Sequence, residues 1–129
     1  MKQWSDLLGP MRVPFLILAP ACVLVGLGTA VWTAGRVNVP HFLLVLVGGV
    51  AAHVSVNALN EYFDFRSGLD SRTQRTPFSG GSGTLPAKPE LAPSALATGL
   101  VALAITALVG VYFLWRQGWA LLAIGLLLA

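Results

Sequence analysis

Long apolar segments alternate with short polar ones along the chain, and this pattern predicts membrane-spanning helices. A transmembrane helix needs about 20 consecutive apolar residues. The stretches that meet this length are approximately residues 13–33, 41–63 and 91–115. A fourth stretch, residues 118–129, is apolar to its last residue, but a helix of that length rises only about 16 Å against a hydrocarbon core of about 30 Å. We therefore expect three full spans, a truncated fourth span and a polar loop over residues 64–90.

Composition favours the same class of protein. Hydrophobic residues make up 56% of the 129 residues and charged residues only 10%, whereas soluble domains are roughly 25% charged. Low polarity excludes a disordered chain, and the single cysteine, Cys22, excludes a disulfide scaffold. The net charge of +3 comes without a basic patch interleaved with aromatic residues, so we expect no nucleic-acid partner. The predicted fold class is all-α, a polytopic transmembrane helical bundle in one domain over residues 1–129.

The distribution of lysine and arginine predicts the orientation in the membrane. Cytoplasmic loops carry an excess of these residues. With three spans, the N-terminal tail and the 64–90 loop lie on one side, and their basic residues are Lys2, Arg12, Arg66, Arg72, Arg75 and Lys88. The other side carries Arg36 and Arg116. We therefore expect the N-terminus and the loop to be cytoplasmic, in the plasma or inner membrane.

The second span carries a polar stripe near its cytoplasmic end. The stripe consists of His53, Asn57, Asn60, Glu61 and Asp64. At 3.6 residues per turn, these positions fall within roughly 100° of arc. Ionisable groups near a membrane are costly unless they face protein or a wet cavity, so the stripe predicts a polar cleft open to the cytoplasm. Each residue also has a structural interpretation: a packing histidine, asparagines that bond neighbouring helices, and solvated carboxylates.

The loop that follows adds chemistry to the stripe. Gly68 permits a sharp turn, which would let Asp70 fold back toward Asp64. Two carboxylates suit Mg²⁺, which takes one or two of them together with phosphate oxygens and waters. Arg72 and Arg75 have the planar guanidinium groups that clamp a diphosphate, although the general bias of cytoplasmic loops toward basic residues would also explain them.

A serine- and glycine-rich run, Ser79-Gly-Gly-Ser-Gly83, comes after the arginines. Its backbone N–H groups would cradle phosphate oxygens if the run folds around a ligand. The same composition is typical of a flexible linker, and the sequence leaves both interpretations open.

The segment 57–70, N-A-L-N-E-Y-F-D-F-R-S-G-L-D, resembles the first aspartate-rich motif of the UbiA superfamily of intramembrane prenyltransferases. In the menaquinone-type branch, which includes 1,4-dihydroxy-2-naphthoate polyprenyltransferases, the motif is close to N-[DE]-x-x-D-x-x-x-x-x-D. The matching positions are Asn60, Glu61, Asp64 and Asp70. The later run R-T-P-F-S-G-G-S-G-T-L also looks like members of this family. The likeness covers roughly residues 8–115, and its specific part is 57–85.

The resemblance implies a nine-helix membrane fold with a central cavity. It also implies an enzyme that uses Mg²⁺ to transfer an isoprenyl group from its diphosphate to an aromatic acceptor in quinone biosynthesis. The catalytic residues would be Asp64, Asp70 and Asn60. The metal ligands would be Asp64 and Asp70, with Asn60 and Glu61 as further candidates. The diphosphate-binding residues would be Arg72, Arg75 and Asn57. The identity of the acceptor and the length of the prenyl chain stay open.

The chain departs from this family in its length. Family members are about twice as long and carry a second aspartate-rich motif, whereas Glu90 is the only carboxylate side chain after Asp70. We expect the chain to correspond to the N-terminal half of such an enzyme, with the C-terminal half or another copy as its partner, and to be weakly active or inactive alone. Two alternatives are a small transport protein with a polar route along the stripe, and a non-catalytic helper or structural protein.

The predicted orientation can be tested with single cysteines in a Cys22→Ser background. Val37→Cys should react with a membrane-impermeant maleimide added outside, because it lies beside Arg36 between the first two spans. Ala87→Cys, in the predicted cytoplasmic loop, should react only once the cytoplasmic face is exposed. Labelling of position 37 from the cytoplasmic face alone would contradict the orientation.

Overall fold

Helices make up all of the regular structure in the described part of the chain. The computed structural model describes residues 8–72, 76 and 81–123. Its long helices are α1 (Leu18–Ala34), α2 (Val39–Ser67) and α3 (Ala92–Gln117). Its shorter elements are the 3₁₀ helices Val13–Ile17 and Pro89–Leu91 and the single helical turns Leu69–Arg72 and Thr84–Ala87. The all-α fold predicted from the sequence is confirmed for these residues.

Three helical segments are long and apolar enough to cross a membrane, as predicted. They are Leu8–Ala34, Val39–Ser67 and Pro89–Gln117. After Gly118 the chain resumes helical bonding, and the amides of Leu122 and Ala123 donate to the carbonyl of Trp119. The rest of the predicted fourth span, residues 124–129, lies outside the described residues.

Local sequence signals determine both ends of α2. At its start, the side chain of Asn38 accepts a hydrogen bond from the His41 amide at 3.0 Å, and Pro40 occupies the first turn, where it needs no amide partner. At its end, Gly68 has a φ of 74° and donates to the Asp64 and Phe65 carbonyls, the left-handed cap that glycine adopts most readily. The turn predicted at Gly68 is therefore present, and α2 continues past the apolar span to include Asp64.

Close contact between α2 and α3 forms the core of the bundle. The small buried residues along this contact are Gly48, Ala51, Ser55 and Ala58 of α2, and Ala92, Ala95, Gly99 and Ala102 of α3. A Cβ added at Gly99 would lie 2.7 Å from Leu59 Cγ, and one added at Gly48 would lie 2.9 Å from Val109 Cγ1. Small residues at intervals of three and four allow two membrane helices to approach closely and pack by van der Waals contact.

Helix α1 packs loosely on the opposite side of α2. None of its residues is buried, and large side chains such as Val25 and Trp32 are 72% and 90% exposed. A groove of about 450 Å³ separates α1 from the start of α2, along the small residues Cys22, Gly26 and Ala30. Apolar exposure on this scale is rare on soluble monomers, and it is typical of a helix whose solvent is lipid.

The close packing predicts different effects of alanine at two glycines of α3. Gly99→Ala should lower the free energy of unfolding by about 1–2 kcal/mol, because the new methyl group must displace Leu59. Gly110→Ala is the matched control, since a Cβ there meets nothing within 4 Å, and it should leave stability equal or slightly higher. Denaturant titration in detergent micelles measures both. Equal stability of the two variants would contradict the packing.

Candidate functional site

The polar stripe occupies the last turns of α2, and its members have different surroundings. His53, Asn57 and Asp64 are half-buried, whereas Asn60 is exposed and Glu61 is only 2% exposed. The five side chains are therefore not equivalent members of one open cleft. The segments that cover part of the stripe come from before α1 and from the end of the loop.

The segment Leu8–Ile17, which we call the arm, lies against the stripe. Its Pro10 is buried, and the Asn57 side chain donates a hydrogen bond to the Met11 carbonyl at 3.0 Å. The next residue, Arg12, has φ 51° and ψ 53°, a left-handed conformation that costs a non-glycine residue about 1–2 kcal/mol. The arm therefore turns sharply at Arg12 before the 3₁₀ helix leads into α1.

Glu61 joins the arm, α2 and the end of the loop. The Ser82 amide donates to Glu61 Oε1, and the Ser82 hydroxyl donates to Glu61 Oε2 at 3.1 Å. Arg12 Nε lies 3.8 Å from Glu61 Oε1, and the Arg12 side chain is 25% exposed. A buried carboxylate is tolerated only when it is paired and hydrogen-bonded, and these contacts satisfy that requirement. We call Arg12, Glu61 and Ser82 the clasp.

Residues 82–87, which we call the loop exit, are held in place by contacts with the arm and α2. Thr84 donates its amide to the Ser82 hydroxyl at 3.1 Å, and a Cβ at Gly9 would collide with the Thr84 side chain. Leu85 is fully buried and packs with Tyr62 and Phe65 of α2 and with the first turn of α3. The arm and the loop exit therefore touch each other over the end of α2.

These contacts return the loop to the helix from which it departs. The loop leaves α2 at Gly68 and is bound again at Ser82 by Glu61, which lies seven residues before Gly68 on the helix. Seven helical residues span about 10 Å, whereas the intervening loop, if extended, would reach more than about 40 Å. The chain must therefore return to the last turns of α2 by Ser82.

Asn60 and Asp64 lie one helical turn apart on the less covered side of the stripe. Asn60 is exposed and Asp64 is half-buried. The carboxylate of Asp64 has no hydrogen bond or ion pair to any residue in the described part of the chain, while its backbone carbonyl accepts from the Ser67 hydroxyl at 3.1 Å. Asp64 therefore offers carboxylate oxygens to a ligand without breaking a described contact.

The remaining predicted residues follow Gly68. The backbone of Asp70 lies in the short turn Leu69–Arg72, but its side chain is outside what the structure describes. The side chain of Arg72 is exposed. Arg75 and residues 77–80, including the start of the serine- and glycine-rich run, lie outside the described residues. The return of Asp70 to Asp64 and the arginine clamp therefore stay predictions.

The described residues include some of the oxygen donors that an Mg²⁺ site would need. Within residues 8–72, 76 and 81–123, no group of three or more His, Cys, Asp or Glu side chains could hold a metal ion. Mg²⁺ needs only one or two carboxylates when phosphate oxygens and waters complete its shell. Asp64, with the Asn60 amide oxygen one turn away, fits that limited demand. Glu61 fits it less well, because its oxygens already accept from Ser82.

Sequence reasoning identified Glu61 but missed its partners. In the sequence, Arg12 is one of the basic residues ahead of the first span, and Ser82 belongs to a run that would cradle phosphate or serve as a linker. The Ser82 amide instead donates to Glu61. The burial of Glu61 is what reveals the need for such partners, since a buried carboxylate requires donors from elsewhere in the chain.

At the far end of the bundle, a polar contact joins α2 to α3. His41 Nε2 lies 3.0 Å from the Tyr112 hydroxyl oxygen, and the imidazole packs edge-on against Tyr112 and Phe113. The two helices are therefore fastened at both ends, by the aromatic contact here and by Leu85 beside the clasp.

Comparison with known proteins found no matching family model, curated protein or solved structure.

The contact between Asn57 and the arm predicts a local loss of order in one variant. Asn57→Leu removes the donor to the Met11 carbonyl, and a net hydrogen bond contributes about 1 kcal/mol. Amides of the arm should then exchange with deuterium about fivefold faster, because exchange follows the free energy of local opening. Asn60→Leu, the same change at an exposed position, is the control. Equal exchange of the arm in both variants would contradict the contact.

Proposed function

We propose that this chain binds a prenyl diphosphate with Mg²⁺ at the end of α2 and contributes that site to an intramembrane prenyltransferase. The enzyme would transfer the isoprenyl group to an aromatic acceptor in quinone biosynthesis. The lipid bilayer would surround α1, α2 and α3, with the part of the arm up to Arg12 and the loop on the cytoplasmic side. The proposal combines the motif resemblance with the surroundings of Asp64.

The observation that carries the proposal is the hydrogen bonding of Ser82 to Glu61. It ties the end of the loop to α2 two turns before the loop begins. Both ends of the loop whose sequence carries Asp70, Arg72 and Arg75 are thereby held near the end of α2. Confinement of this kind lowers the entropic cost of assembling a site for a small, highly charged ligand.

Each predicted residue has a role in this proposal. Asp64 and Asp70 would hold Mg²⁺, and Asn60 would orient a metal ligand or hydrogen-bond the diphosphate. Arg72 and Arg75 would bind diphosphate oxygens in pairs, as guanidinium groups do. Asn57 holds the Met11 carbonyl, so we propose that it supports the arm rather than the diphosphate.

The chemistry requires charge stabilisation and a dry surface. When the carbon–oxygen bond of an allylic diphosphate breaks, the leaving diphosphate gains negative charge, which Arg72 and Arg75 would stabilise. Bound Mg²⁺ would supply further neutralisation of the same charge. A carbon of the aromatic acceptor then forms the new bond to the allylic carbon, and the ring releases its proton. Departure of the diphosphate leaves an allylic cation, and apolar helix faces would shield this cation from water until the acceptor carbon bonds to it.

A transport route along the stripe is less favoured. Such a route needs accessible polar groups through the depth of the helix, but Glu61 is buried beneath Ser82 and Arg12. From residue 42 to residue 52, α2 is apolar. Both features fit a site at one end of the helix better than a path through it.

The proposal predicts Mg²⁺-dependent binding of diphosphate by the purified 129-residue chain in lipid nanodiscs. Asp64→Asn should weaken binding at least about tenfold, because a charged ligand contact contributes about 1.5–3 kcal/mol. Asp6→Asn makes the same charge change in the N-terminal tail and should not alter binding. Isothermal titration with inorganic diphosphate, with and without EDTA, measures these effects. Absence of binding by the parent chain would refute the proposed function, and normal binding by Asp64→Asn would refute the site.

A further inference from the structure

We propose that Glu61 is a positioning residue, whose carboxylate holds the arm and the loop exit together over the end of α2. The clasp itself depends only on contacts in the structure, whereas its consequence for ligand binding rests on the proposed function. This assignment differs from the role of metal ligand that the motif resemblance implies for Glu61.

The chemistry of the contacts requires a carboxylate at this position. Ser82 donates two hydrogen bonds, from its amide and its hydroxyl, and the Arg12 guanidinium adds a positive charge with Nε 3.8 Å from Oε1. An ionised carboxylate only accepts hydrogen bonds, whereas the glutamine side chain has an NH₂ group that donates. Glutamine at position 61 would therefore place a donor against Ser82 or Arg12, in a site that is 2% exposed.

The contacts also connect two segments that are distant in sequence. Glu61 binds Ser82 and pairs with Arg12, while Thr84 touches Gly9 on the same side of α2. Arg12 keeps its left-handed conformation beside Glu61, and surrounding contacts must stabilise such a conformation. Release of Glu61 would therefore loosen the arm and the loop exit together.

A disulfide can report this contact directly. In a Cys22→Ser background, Gly9→Cys and Thr84→Cys bring together Cβ positions that lie 3.0 Å apart, so a small shift gives the roughly 3.5–4.5 Å of a disulfide. Gly48→Cys with Val109→Cys, whose Cβ positions lie 3.2 Å apart, reports whether α2 and α3 remain packed.

The first experiment measures the rate of oxidative cross-linking in nanodiscs. Glu61→Gln should slow the Gly9–Thr84 cross-link at least about tenfold, because it removes one partner of a buried charged network. Glu90→Gln, the same change at an exposed glutamate, should leave that rate unchanged. Neither variant should alter the rate of the Gly48–Val109 cross-link. Equal rates in Glu61→Gln and Glu90→Gln would overturn the proposal.

If Glu61→Gln also loses the Gly48–Val109 cross-link, Ser82→Ala decides, because it deletes only one donor of the clasp. It should slow the Gly9–Thr84 cross-link alone, and an unchanged rate would overturn the proposal.

The second experiment separates positioning from metal binding. Glu61→Gln should weaken Mg²⁺-dependent binding of inorganic diphosphate. The Gly9–Thr84 disulfide, formed under forcing oxidation in this variant, should restore the affinity to within about twofold of that of the equally cross-linked parent. The reason is that the disulfide preorganises the two segments in place of the lost contact. A disulfide cannot replace a metal ligand, so failure to restore binding would overturn the positioning role. If the parent chain binds no diphosphate, the proposed function fails, while the cross-linking rates still decide the clasp.

Discussion

The close approach of α2 and α3 determines where everything else in the bundle can lie. Gly48 and Gly99 leave no room for a side chain at the contact, so the facing surfaces of the two helices are fixed in register. On α2, these small residues lie on roughly the opposite side from the polar stripe. Helix α3 therefore does not cover the stripe, and in the described part of the chain the arm and the loop exit do so.

The two edges of the polar stripe differ in which segments of the chain contact them. Asn57 and Glu61 lie toward one edge of the polar arc, where the arm and Ser82 contact them. Asn60 and Asp64 lie toward the other edge, with Asn60 exposed and Asp64 half-buried. One edge of the same arc thus holds the surrounding chain, while the other presents oxygen atoms to a ligand. Because contacts hold Asn57 and Glu61, this end of α2 is fixed, and the positions of Asn60 and Asp64 are fixed with it.

Features encoded by neighbouring residues could be predicted from the sequence. The three apolar helices follow from uninterrupted apolar length, and the turn after α2 follows from glycine at position 68. The clasp could not be predicted, because it requires a left-handed Arg12 and a return of the loop to Glu61, and neither leaves a periodic signal. Glu61 and Asp64 share one helical face, so the sequence pattern alone indicates both as candidate metal ligands. Only the tertiary position of Ser82 distinguishes them.

Two polar contacts, one toward each end of α2, lie a fixed distance apart along the helix. His41 bonds to Tyr112 at one end, and Glu61 bonds to Ser82 at the other. The interval of 20 residues between them corresponds to about 30 Å of helix, which is the thickness of a typical hydrocarbon core. In a bilayer of that thickness, both contacts would lie at the lipid headgroups. A thinner or thicker bilayer would force the helix to tilt or the lipid to deform, so the separation of the two contacts would set the bilayer thickness that suits the bundle.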